Sequence, residues 1–427
     1  MTLSPTDTGL GLSLVPGRPD PRAPADPRAP AAARRAPVSR SLAAGDLHVD
    51  VLTGLDAVAG IAPAWSRLYA ASDLGNGDLH PAWVLAWYRT FVRDGDVVVA
   101  AVRAGDELVG VAPLWRMRLA PRLQVLQLAG AGRHVLLTDT PGILSPTGHH
   151  RKVVKAAADA VAGLPGWAWC TLTLSPAQGW SDQLAGPDSS WVFPRVGRTC
   201  VISTLPAEGG AFEAAFEAGL KRNVRESIRR SVNRLTRDAP GWAVERVTGD
   251  PQRLVPALAE MVALHRQRAR LGDHKSHRDV FADARYARLL AAVAAAPGGA
   301  DLLSVYTLRV DGRALAAQVV LDAPTTRTML VSGIHPDGWR YSPMALLTRE
   351  IARDAVAEGR TRLNHSAGPD TGKLRWSEAM ETHAEFSIVR SSRLARAAFL
   401  AHSQVAVGAA LRRERRRQQA AAPVPPA

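Results

Sequence analysis

At 427 residues, with 46% hydrophobic and 22% charged residues, the chain has the composition of a globular protein with room for two or three domains, each with its own core. No run of about 18 uncharged apolar residues argues for a membrane span, and Met1-Thr2-Leu3-Ser4-Pro5 lacks the basic start of a secretory signal, so a cytoplasmic location is expected. The net charge of +14 is concentrated in two segments, residues 221–237 and 391–427, each with seven Lys or Arg against one Glu, which speaks against a basic groove spread over the whole molecule.

Residues 1–46 are rich in Pro, Ala, Arg and Asp without apolar periodicity and are expected to form a disordered tail. Folding is expected to begin with the strand Leu47-His48-Val49-Asp50-Val51-Leu52. Two helical faces follow, one with Trp65, Leu68 and Tyr69 and one over Pro81 to Tyr88, where the proline suits a first turn. A hairpin comes next, Asp96 to Arg103 and Glu107 to Leu114, turning at Ala104-Gly105-Asp106. Strands are expected at Leu123 to Leu128, Trp167 to Leu174 and Thr199 to Leu205, with a helix at His149 to Leu164. Cys170 and Cys200 both lie in such apolar runs and read as small buried hydrophobes.

Between Lys221 and Leu235 the apolar residues Val224, Ile228, Val232 and Leu235 fall on one helical arc, with the basic residues opposite. That pattern fits a bridging helix with a solvated cationic face, or a face that meets phosphate, tRNA or an anionic membrane. Beyond it lie a strand at Trp242 to Val247 and helices at Leu254 to Leu271 and Tyr286 to Ala296. Toward the C-terminus, Thr382 to Val389 alternates as a last strand, and Leu394 to Arg417 reads as a basic helix ahead of a Pro-Ala tail.

The stretch Leu302 to Trp376 organises the second half. Alternating strands at Leu303–Leu308, Leu315–Leu321 and Met329–Ile334 enclose an Asp311-Gly312 turn like the earlier hairpin, about 200 residues away. Two similar halves argue for α/β or α+β domains in tandem, each with a mixed sheet flanked by helices. The third strand feeds the loop His335 to Ser342 and a helix opened by Pro343 and stopped by Gly359. A strand entering a helix N-terminus through a polar loop is a ready anion site, because free N–H groups and the helix dipole point the same way. After the next strand, Asn364 to Trp376 reads as a polar loop.

No Gly-Lys-Ser/Thr phosphate loop, Gly-x-Ser-x-Gly elbow, His-Glu-x-x-His or paired Cys motif is present, and no metal is expected. The order Val310 to Ala317, Gly333-Ile334-His335-Pro336, Tyr341-Ser342-Pro343, then Gly368, Lys373 and Trp376, resembles the BioF2-like acetyltransferase domain. That domain belongs to the CelD/BcsL group of GNAT acyltransferases. Pro81-Ala82-Trp83 with Trp87, and Ala112-Pro113-Leu114, resemble the group's first half. The resemblance implies tandem GNAT-like halves at 47–205 and 206–400, with 401–427 a basic helix and tail.

It implies an acyl-CoA site, acetyl-CoA or another acyl-CoA, at Val331, Ser332, Gly333, Arg340, Tyr341, Ser342, Met344, Ala345 and Leu346. It further implies direct transfer to an amine or hydroxyl of a small metabolite, sugar or exopolysaccharide precursor, with His365, Asp370, Lys373 and His265 as catalytic candidates. Asn364 and Gly372 stand where relatives commonly carry Asp and Tyr, and Met344 where Gly is frequent. Two further readings stay open. The basic helix resembles that of FemABX aminoacyltransferases, which use aminoacyl-tRNA, and the arginine-rich tail suits a silent surface module with weak anionic-membrane contact. DNA is not an expected partner.

Overall fold

The computed structural model describes residues 47–74, 76–179, 191–206, 212–271 and 278–421; the tail expected at 1–46 lies outside them. The first half contains β1 (Leu47–Thr53), α1 (Leu55–Gly60), α2 (Ala62–Ala70), α3 (Pro81–Phe91), β2 (Val97–Ala104), β3 (Glu107–Ala120), β4 (Leu123–Leu128), α4 (His150–Ala162), β5 (Trp169–Leu174) and β6 (Trp191–Thr204). Helix α5 (Arg222–Asp238) bridges to β7 (Ala243–Val247), α6 (Pro251–Arg270), α7 (Arg285–Ala295), α8 (Gly299–Leu302), β8 (Leu303–Val310), β9 (Arg313–Asp322) and β10 (Thr326–Ile334). Then come α9 (Pro343–Ala357), β11 (Arg362–Ala367), α10 (Thr371–Leu374), β12 (Met380–Val389) and α11 (Arg393–Ala421). No described helix is long and apolar enough to cross a membrane.

The twelve strands of the described residues form one mixed sheet in the order β1-β2-β3-β4-β5-β12-β6-β11-β10-β9-β8-β7. Read from either edge, the same pattern recurs: a meander of four strands, then a parallel partner, β5 beside β4 and β11 beside β10. The sixth strand of each half is exchanged. β6 pairs with β11, β12 pairs with β5, and the two join the halves by an antiparallel seam.

Alternation along the strands sorts side chains to two faces. Val97, Val99 and Ala101 join Val305, Val319 and Leu321 in one core under α1–α3 and α6–α8. Phe91 of α3 meets Tyr286 of α7 with ring centroids 5.0 Å apart, so helices of both halves close over the same face. The opposite face carries two separate cores, one under α4 and one under α5 and α9. Helix α5 buries Val224, Ile228 and Leu235 and leaves its basic side exposed. The hairpin turn at Asp311-Gly312 has φ of 49° and 77°, the left-handed pair that matches strand twist.

Two expectations are corrected. The strand expected at Thr199 to Leu205 begins at Trp191, because Pro194 and Gly197 break its alternation while β12 still pairs along it. The loop expected from Asn364 is strand as far as Ala367; its polar side chains are buried and find hydrogen-bond partners, so polarity does not force them to the surface.

Candidate active site

β10 and β11 are paired over three residues only, Thr326–Thr328 against Arg362–Asn364. Beyond that level β10 shifts register between Met329 and Val331 while staying on β9, and β11 becomes irregular between Asn364 and Ala367, with Ser366 at φ 68°. The edges that faced each other are left without a strand partner, and a gap opens between two parallel strands. Free backbone donors and acceptors along such an edge suit an extended, amide-bearing ligand. Arg327 anchors the closed end: fully buried, it donates to Asp322 at 2.5 Å, Tyr306 at 2.8 Å and Glu358 at 2.9 Å.

At the open end β10 leads through the short helical turn Pro336–Tyr341 into α9. Ser342 takes the left-handed conformation at the N-cap (φ 49°) and its side chain makes no capping bond. The first turn of α9 therefore has no side-chain cap; Pro343 carries no N–H and the Ala345 N–H donates to the Ser342 carbonyl at 3.2 Å, with Met344 and Ala345 half-buried and Leu346 in the core. The exposed Arg340 guanidinium lies 4.6 Å over the Tyr341 ring, and the Tyr341 hydroxyl is buried without a partner. Tyr341 also lines an open cavity of about 440 Å³ with Arg313, Arg340 and Asp337.

Val331, Ser332 and Gly333 lie on β10. The Ser332 carbonyl accepts from His265 Nδ1 at 2.7 Å, and the Arg268 guanidinium donates to its hydroxyl at 3.3 Å. Gly333 packs directly under α6. His265 is buried on that helix, with Nε2 accepting the Val280 N–H at 3.1 Å, so its ring ties α6 to β10 and to the next segment, apart from the other catalytic candidates.

Those others meet at the exit of β11. His365 Nε2 lies 2.8 Å from the Ser203 hydroxyl on β6; burial, reinforced by the Lys373 cation, holds its pKa down at about 4, so the imidazole is neutral at pH 7. Lys373 Nζ donates to the Ser366 hydroxyl (2.9 Å) and to the Ala367 (2.7 Å) and Gly368 (3.0 Å) carbonyls, pinning the turn that leaves the strand. Asp370 is exposed and caps α10 by accepting the Gly372 N–H at 2.7 Å.

A second polar group adjoins this exit and has no motif to announce it. Asp78, just before α3, accepts the Asp139 and Thr140 N–H groups at 2.9 and 2.8 Å, which ties it to the loop after β4. Arg198 of β6 donates to the carbonyls of Thr138 and Val135 in that loop. Only contact across 61 residues reveals the pair. In sequence, Asn76-Gly77-Asp78 reads as turn chemistry.

The family model described as an acetyltransferase (GNAT) domain matches residues 222–376. Residues 222–376 are similar to a GNAT acetyltransferase domain. The matched span contains the β10/β11 gap, the N-terminus of α9 and Lys373, and the mirrored sheet makes the architecture a tandem of GNAT-like halves. Among solved structures, FemX aligns with TM-score 0.52 at 11% identity over 78% of this chain and 97% of its own. A conserved protein of unknown function from Bacteroides thetaiotaomicron aligns with TM-score 0.50 at 14% identity, again over 78% and 97%. At those identities the likeness is one of fold. No curated protein matches the chain.

Proposed function

We propose that the chain is an acyl-CoA-dependent acyltransferase of the BioF2-like, CelD/BcsL type, with the β10/β11 gap as its donor site. The observation that carries this reading is the parting of β10 from β11 after three paired residues, directly upstream of an uncapped helix N-terminus. Bound there, acyl-CoA would supply a thioester activated toward nucleophiles. The residues present fit such a substrate: the β10 edge around Val331–Gly333 has no partner strand on the β11 side, its Val331 carbonyl taking one hydrogen bond from Gln318 and its Ser332 carbonyl one from His265, each keeping a second lone pair. The α9 N-terminus, with Arg340 beside it, offers a positive dipole end to phosphate. Lys373 fixes the wall opposite. The neutral, buried His365 is a weak proton acceptor at pH 7 and acts here as an orienting partner of Ser203.

The acceptor is an amine or hydroxyl of a small metabolite, sugar or cell-envelope precursor. Isothermal calorimetry with acetyl-CoA tests the donor site; binding that weakens at least tenfold in Arg340→Glu is expected. No heat at millimolar acetyl-CoA would sink the proposal.

The exposed cationic face of α5 supports a second reading, aminoacyl-tRNA as donor. Five of its arginines are already engaged, Arg229 and Arg230 by Glu226, Arg237 by Asp238, Arg225 and Arg234 by carbonyls, which favours the first. Filter binding of charged tRNA with a steep loss on added salt would reverse that order.

A further inference from the structure

We propose that Asp139, paired with Asp78, takes the proton of the acceptor during acyl transfer, so that the first half supplies the base for a donor site built by the second. The inference rests on the acyl-CoA reading above.

The pair lies where its chemistry is needed and is built unlike a structural ion pair. Asp78 is 5% exposed and Thr138 1% exposed, yet Asp78 Oδ1, Asp139 Oδ2 and the Thr138 and Tyr69 hydroxyls have no hydrogen-bond partner. The Asp78, Asp139 and Thr138 atoms belong to groups joined by the Asp78 hydrogen bonds to the 139–140 backbone, and the Tyr69 hydroxyl is close enough to feel the Asp78 charge. Unsatisfied buried polar atoms so grouped go against the rule that such atoms are paired and suit a ligand's hydrogens. The two cations within reach are already engaged. Arg198 donates to loop carbonyls and comes no nearer than 4.0 Å to the Asp139 carboxylate, and Lys373 is engaged by the oxygens of the β11 exit.

Burial first, then repulsion by Asp139, pushes Asp78 up to about 7, with the Thr140 N–H and Arg198 opposing. Asp139 is also raised by burial, against the pull of Arg198, Lys373 and the nearby Ala367 N–H, the last residue of β11. Asp139 lies 4.0 Å from Arg198 on β6, two residues from Cys200, the β6 partner of Ala367 at the β11 exit, and its side chain is 17% exposed where Asp78 is 5% exposed. The remaining groups facing the pair are the Cys200 thiol from β6, itself beside Glu381, and the Tyr69 phenol from α2, which also feels Asp322 and Arg360.

The step balances without a further reactant. The acceptor's nitrogen or oxygen bonds to the acyl carbon, the carbon–sulfur bond breaks, CoA leaves as the thiolate, and the acceptor proton passes to Asp139. Asp78 is a positioning residue: burial first, and then its closeness to Asp139, keep the pair's last proton until near neutrality, where a general base works best.

The test uses the full chain, acetyl-CoA as donor and water as the acceptor, with thiol release read from pH 5 to 9 and acetyl-CoA affinity read by calorimetry. Asp139→Asn is expected to keep acetyl-CoA affinity within twofold and lose about 100-fold in thiol release, with Asp139→Ala partly restored by added formate. Asp78→Asn is expected to move the acidic limb of the profile to lower pH. An Asp139→Asn chain that binds acetyl-CoA and releases thiol within twofold of wild type overturns the proposal. So does a wild-type chain that binds acetyl-CoA and releases no thiol at any pH. Absence of binding in the wild type sinks the acyl-CoA reading instead.

Discussion

Gly333 of β10 and His265 of α6 meet backbone to backbone. A Cβ on Gly333 would stand 2.4 Å from the His265 nitrogen and 2.7 Å from the Leu264 carbonyl carbon. The glycine is therefore set by helix–strand packing, on the strand that forms one wall of the gap. Gly333→Ala is expected to destabilise the chain by about 1–3 kcal/mol in urea denaturation, since neither backbone can give way locally. Wild-type stability in that variant would contradict the packing.

Arg327 holds the closed end of the gap through Asp322, Tyr306 and Glu358. Arg327→Leu takes the nearest cation from buried Asp322, which keeps Arg360 at 3.3 Å, Arg246 at 3.8 Å and the Ser304 hydroxyl at 2.7 Å, so a loss at the low end of about 3–5 kcal/mol is expected. Because the network sits where β10 and β11 are still paired, acetyl-CoA affinity in the folded fraction should fall with it; calorimetry at low temperature separates the two effects.

His365 carries a pH signature. Its folded pKa of about 4 lies below the ordinary value of 6.5, so as pH falls the unfolded chain takes up the proton first. Its contribution is whole above about pH 6.5 and is lost progressively down to pH 4, amounting to roughly 3 kcal/mol at most. His365→Gln should flatten this part of the stability curve, measured as urea midpoints at pH 7, 5.5 and 4.5.

Asp78 tilts the curve the other way. Its folded pKa, about 7, is above the ordinary 3.8, so between these values the unfolded chain has released a proton that the folded chain keeps. Stability from this group is full below about pH 4 and declines as pH rises toward 7, by roughly a few kcal/mol. Asp78→Asn, which can still accept the Asp139 and Thr140 N–H groups, should gain on wild type between pH 5 and 7. An unchanged difference across that range would show that Asp78 is an ordinary ionised carboxylate.

The strands and helices around the gap were legible because Leu303–Leu308, Leu315–Leu321 and the Met344, Leu347, Ile351 series follow the periods of strand and helix. The turn into α9 was legible from Ser342-Pro343. What escaped were facts carried by distant contacts. Polar β11 residues looked like loop because Ser203, which buries His365, is 162 residues away. Asp78 and Asp139 lacked any local pattern, since a buried acid differs from a turn acid only in what folds over it. The close approach of His265 and Gly333 likewise joins elements 68 residues apart, so no local pattern announces it.

The traded strands have a consequence for how such a chain is assembled. Either half alone would carry a surplus sixth strand and an empty slot beside its fifth, and two copies of one half would satisfy each other by swapping, as in a domain-swapped homodimer. The 427-residue chain is the covalent form of that dimer, in which α5 replaces a concentration-dependent encounter by an intramolecular one. Once joined, the halves are released from symmetry: the strand gap of one half can be kept while the loops of the other are free to diverge.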